Sequence, residues 1–77
     1  MTPNPHAAVA LRDGPIERGT YRVVVYEPDS RVTLKNFDEL ERATAYANDA
    51  ASETENGVVR AYVLDHTLRV VRTGEHY

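Results

Sequence analysis

The sequence predicts an α+β domain, a four-stranded antiparallel sheet in ββαββ order with one helix packed on one face. Three observations carry that expectation. Two pairs of short β-rich segments flank a single long helical stretch, each pair is joined by a tight turn, and the helical stretch bears one stripe of small apolar residues.

Residues 1–19 come first and hold Pro3, Pro5, Pro15, Gly14 and Gly19 around an apolar island, AAVAL, at 7–11. Proline and glycine at that density predict a flexible N-terminal segment, with the island free to order against the domain or a partner. The single ββαββ domain is expected over 20–77. Its first strand is TYRVVVY at 20–26, dense in β-branched and aromatic residues. Glu27, Pro28, Asp29 and Ser30 read as a type I turn, because proline presets the backbone of the second position. The second strand, RVTLK at 31–35, alternates cleanly, and Phe37 follows where a large side chain would pin the start of the helix.

The helix is expected over residues 38–53, DELERATAYANDAASE. Leu40, Ala43, Thr44, Ala47, Ala50 and Ala51 fall within roughly 120° of arc at 100° per residue, while Glu41, Arg42, Asp49, Ser52 and Glu53 point away. Asp38 suits the N-cap and Glu41 would complete a capping box; Asn56 and Gly57 supply a stop. Alanine at four of the six inward positions predicts close backbone approach to the sheet. Two further strands follow, VVRAYVL at 58–64 and TLRVVRT at 67–73, with Asp65 and His66 as the hairpin loop, and the residues from Gly74 onward are expected to fray.

Assumed hairpin registers then divide the sheet into faces. A four-residue loop at 27–30 and a two-residue loop at 65–66 put Tyr21, Val23, Val25, Val32, Leu34, Val59, Ala61, Val63, Leu68 and Val70 under the helix. The opposite face would carry Arg22, Val24, Tyr26, Arg31, Thr33 and Lys35 from the first hairpin, and Val58, Arg60, Tyr62, Leu64, Arg69 and Val71 from the second. No acidic residue lies in that set, whereas residues 38–55 hold six carboxylates and one arginine. The candidate contact residues are therefore Arg22, Val24, Tyr26, Arg60, Tyr62, Leu64, Arg69 and Val71. So many large apolar groups on an open face of a small chain call for a cover, and a second copy of the chain or the N-terminal island would supply one.

Composition bounds the function. The chain has 77 residues, one domain's worth, and no cysteine to staple a core that is small at this length. Absence of cysteine fits a reducing compartment, and no apolar run resembles a signal peptide or a membrane span, so a cytoplasmic protein without membrane contact is expected. Nine basic against twelve acidic residues argue against binding nucleic acid by bulk charge. No catalytic residue, cofactor or metal is expected. His6, His66 and His76 lie in two tails and a turn, Ser30 and Ser52 have no histidine at a workable position, and the glycines lack phosphate-cradling spacing. The reading is a small non-enzymatic interaction module that self-associates as a homodimer through the uncovered sheet face or an edge strand. The alternative is a binder of single-stranded nucleic acid, an acidic protein or another polyanion, in which Tyr26 and Tyr62 stack and Arg22, Arg60 and Arg69 hold the charge.

In outline, Phe37, the helix sequence ERATAYA and the hairpin sequence VVRAYVLDH give the stretch 20–73 a pattern that resembles small uncharacterised bacterial domains of ββαββ layout. That resemblance implies the fold and no activity. Eight arginines to one lysine associate with a bacterial coding sequence of high GC content.

Overall fold

A computed structural model of the chain describes residues 5–27, 29–52 and 60–74. The elements are a short helix α1 (Pro5–Ala10) running into a 3₁₀ turn (Leu11–Asp13), then β1 (Tyr21–Tyr26), β2 (Val32–Phe37), α2 (Leu40–Ser52), β3 (Arg60–Leu64) and β4 (Val70–Thr73). The domain is thus ββαββ, with α2 packed on a four-stranded antiparallel sheet. Strand order is β2-β1-β3-β4. Because β1 is antiparallel to both β2 and β3, those two run parallel to each other one strand apart, and α2 is the crossover between them.

β1 is the central strand in the physical sense as well. Arg22, Val23, Val24 and Val25 are all buried, so both of its faces are covered. An uninterrupted apolar run such as VVV suits a strand buried on both sides better than one with a solvated face. Its α2 face forms one core of Val23, Val25, Ala61 and Val63 against Ala43 and Ala47, with Tyr21, Phe37, Leu40, Tyr46, Ala50 and Val71 packed around it. Val23, Val25, Ala61, Val63, Ala43 and Ala47 are the strand and helix residues whose periodicity points toward the helix.

The helix itself begins later than an Asp38 cap would place it. The Ala43 N–H donates to the Glu39 carbonyl at 3.1 Å, which makes Glu39 the first acceptor of the helix. Thr44 bonds back to the Leu40 carbonyl at 2.8 Å, so its hydroxyl is satisfied within the turn. The Asn56 and Gly57 stop signal, and Val58 and Val59, lie outside the described residues.

The outer strands differ from expectation by register. Tyr26 pairs with Val32 and Val24 with Leu34, one residue beyond the Tyr26 to Arg31 pairing assumed from a four-residue loop. The loop closes instead with Glu27 N–H donating to the Arg31 carbonyl at 2.8 Å and Ser30 N–H to the Glu27 carbonyl at 3.1 Å, while Ser30 takes φ 71°. With Ser30 in the left-handed region the loop takes one more position, and one position reverses every side chain beyond it. Val32 and Leu34 therefore lie away from α2, and Thr33 and Lys35 on its side.

The second hairpin repeats the device. Asp65 N–H donates to the Arg69 carbonyl at 3.1 Å, Leu68 N–H to the Asp65 carbonyl at 3.0 Å, and Leu68 has φ 66°. Val70 and Val71 point to opposite faces, Val71 toward α2 and Val70 away, and the register shift between Val63 and Leu64 leaves Val71 as the extra residue opposite β3. Leu68 and Val70, expected under α2, are on the other side; Val71, expected opposite α2, is beneath it.

Gly74 does not lie beyond the sheet. Its N–H extends the β3–β4 ladder by donating to the Ala61 carbonyl at 2.7 Å. A Cβ at this position would stand 2.5 Å from the Ala47 carbonyl oxygen, so glycine is what allows the strand end and the alanine face of α2 to meet.

Candidate functional site: the aromatic cleft under the N-terminal helix

The face opposite α2 is covered by the chain's own N-terminus. Ala10 and Ile16 are buried there with Val24 and Leu64, and Val9, Tyr26, Val32, Leu34, Tyr62, Leu68 and Val70 pack around them as a second core. The apolar island at 7–11 thus supplies part of the cover. Among the described large apolar residues only Leu11 stays exposed.

Arg22 is the clasp for this cover. Only 3% of it is exposed. Its Nη1 donates to the Ala10 carbonyl at 2.7 Å and the Gly14 carbonyl at 2.5 Å, and its Nε donates to Asn36 Oδ1 at 2.7 Å. The first two acceptors are carbonyls at the end of α1 and just after the 3₁₀ turn, groups that helix ends leave without an internal partner. A planar guanidinium can serve two carbonyls at once while reaching sideways to an amide, which a lysine ammonium on a flexible stem does less well.

The eight candidate contact residues consequently separate. Arg22, Val24 and Leu64 are buried structural residues, and Val71 belongs to the α2 core. Arg69 is exposed in the β3–β4 loop, at the Leu64 end of β3, while Arg60 starts that strand; at about 3.3 Å per residue the two ends are roughly 13 Å apart. What the fold does bring together is Tyr26, Tyr62 and Arg60. Tyr26 and Arg60 are direct cross-strand partners, and Tyr62 is one diagonal step away on the same face.

A fourth member comes from α1 and escaped the sequence reading: His6. Its ring stacks on Tyr62 with centroids 4.0 Å apart and planes 24° apart, and its Nδ1 shares a 2.7 Å hydrogen bond with the Tyr26 hydroxyl. Tyr26 and Tyr62 meet edge to face with centroids at 5.9 Å. The only signal for His6 in the sequence is its position beside the apolar island, one step ahead of Ala7. Pro5, His6, Val9, Tyr26, Arg60 and Tyr62 line an open cleft of about 450 Å³.

Electrostatics keep the cleft neutral to positive. Burial raises the Tyr26 pKa above the ordinary phenol value, the neighbouring Tyr62 adds to this, and the Arg12 guanidinium opposes it in part. The phenol is therefore protonated throughout the neutral range. Among the described residues no carboxylate lines the cleft, and Arg60 makes no ion pair with a described residue. Among the described residues no cluster of three metal-ligating side chains occurs, and no helix is long and apolar enough to cross a membrane.

Compared with protein-family models, curated proteins and solved structures, the chain matches none.

Proposed function

We propose that the protein is a small non-enzymatic interaction module that pairs with a second copy of itself through the free edge of β2. The observation that carries this reading is the contrast between the two edge strands. β4 has four residues, an irregular register and Arg72 near its end, all features that blunt an edge. β2 has six residues in unbroken register and no proline.

Ladder alternation identifies what that edge offers. The Glu27–Arg31 backbone bond makes Val25–Thr33 and Val23–Lys35 the next inward-bonded pairs, so the backbone groups of Val32, Leu34 and Asn36 point outward. Among the described residues no strand pairs with them. Val32, Leu34 and Phe37 are each only half-buried at this border, and a two-fold antiparallel pairing centred on Leu34 would continue both cores into the second copy. In that register Lys35 faces Thr33 of the other copy, so the lysines do not oppose each other directly.

Light scattering and sedimentation over a micromolar concentration series test the reading. The wild type should shift from monomer to dimer with concentration. Leu34→Lys, which sets like charges directly opposite each other, should stay monomeric with an unchanged far-UV spectrum. A wild type that is monomeric throughout, or a Leu34→Lys variant that dimerises equally well, overturns it.

A further inference from the structure

We propose that the cleft between α1 and the start of β3 binds a small planar aromatic ring carrying one anionic group. This inference does not depend on self-association, because every group it uses lies on one chain.

The cleft has the two attributes such a ligand needs. Its wall is made of rings and apolar side chains: His6, Tyr26 and Tyr62 in mutual contact, with Pro5 and Val9 from α1 beside them. Aromatic rings meet one another by offset stacking or edge to face, so a planar body can add to this cluster while removing apolar surface from water. At about 450 Å³ the cleft falls within the size range of small-molecule sites and suits one or two fused rings.

The second attribute is charge. Among the described residues, Arg60 is the one charged residue lining the cleft. It is exposed, no carboxylate among the described residues pairs with it, and its planar fork has the geometry to hold a carboxylate or phosphate. A cationic aromatic would meet Arg60 with no compensating carboxylate among the described lining residues, and a neutral one would leave the guanidinium unused.

The cluster also has a reason to be ordered before a ligand arrives. The His6–Tyr26 hydrogen bond ties α1 to β1 at one end of the cover, and Arg22 ties Ala10 and Gly14 to β1 at the other. Both walls are therefore held by contacts that a ligand does not need to make, which lowers the entropic cost of binding.

Two anionic groups share this chemistry, a carboxylate on an aryl ring and a phosphate on a nucleoside. Titration of the full chain with 1-naphthoate and, separately, with adenosine monophosphate, followed by NMR of the tyrosine and histidine ring protons, separates them. The expected result is saturable shifts at His6, Tyr26 and Tyr62 in the millimolar range or below for at least one of the two, and the tighter ligand identifies the source of the anion. Neutral 1-naphthalenemethanol should bind about tenfold more weakly, and Arg60→Gln should weaken the anion by about the same factor, the effect of one charged hydrogen-bonding group. Arg60 is exposed, so Arg60→Gln should keep the wild-type melting temperature. Absence of saturable shifts with both anions, equal affinity for the neutral analogue, or full affinity in Arg60→Gln would each overturn the proposal.

Discussion

The Arg22 guanidinium donates to the Ala10 carbonyl at 2.7 Å, so a buried cation on the central strand holds the end of the N-terminal helix on the sheet. No carboxylate among the described residues pairs with it; its acceptors among them are two backbone carbonyls and the Asn36 amide. Replacing it with methionine keeps most of the apolar stem but leaves those acceptors without their donor. The expected loss is about 2–3 kcal/mol in urea denaturation, the scale of hydrogen bonds to a charged group together with orphaned partners. Amide exchange across residues 5–13 should speed up more than exchange in α2. Equal protection of α1 in wild type and variant would show that the apolar contacts of Val9 and Ala10 suffice.

Gly74 makes the complementary test on the α2 face. Its φ is not at issue; the space is, because an added methyl would stand 2.5 Å from backbone that cannot swing aside. Gly74→Ala should destabilise by about 1–3 kcal/mol, the usual cost of overpacking. Thermal denaturation measures this directly, and a neutral result would mean that α2 and β4 can separate without cost.

The two hairpins share a loop with a non-glycine residue in the left-handed region, Ser30 at φ 71° and Leu68 at φ 66°. Glycine at either site relieves roughly 1–2 kcal/mol of steric cost but adds about 0.5–1 kcal/mol of unfolded-state entropy. Ser30 is exposed, so Ser30→Gly should gain about 0.5 kcal/mol. Leu68 packs against the second core, and losing that partial burial should turn Leu68→Gly into a net loss of about 1 kcal/mol. Denaturation of both variants under one set of conditions checks the opposite signs.

Asp65 gives the fold a pH dependence of known sign. Burial of its carboxyl, the largest single influence, pushes the pKa up. Hydrogen bonds from the Thr67 hydroxyl at 2.5 Å, the Arg69 N–H at 3.3 Å and the Thr67 N–H at 2.9 Å, with His66 nearby, together outweigh it and the pKa is lowered. A depressed carboxylate contributes stability above its unfolded value, about 3.9, and that stability is lost as pH falls through the folded value below it. The stability gap between wild type and Asp65→Ala should be present at neutral pH and shrink as pH drops below about 4. A gap independent of pH would place the effect in turn geometry alone.

Residue pattern by itself determined the element order and one of the two cores. Tyr21, Val23, Val25, Ala61 and Val63 alternate on strands, Ala43 and Ala47 recur at helical spacing, and these two periods leave a single way to bring the sets together. The other core was decided only in three dimensions. In β2 and β4 both parities offer apolar residues, Val32 and Leu34 against Phe37, and Val70 against Val71, so alternation cannot say which parity faces α2. That choice fell to the left-handed Ser30 and Leu68 and to the irregular register near Leu64, backbone features without a side-chain period. The cover over Val24 and Leu64, the burial of Arg22 and the meeting of His6 with Tyr26 and Tyr62 depend on contacts between residues 5–16 and strands far along the chain. A periodicity is local and such contacts are not, which is why the aromatic pair Tyr26 and Tyr62 was legible and the histidine that completes it was not.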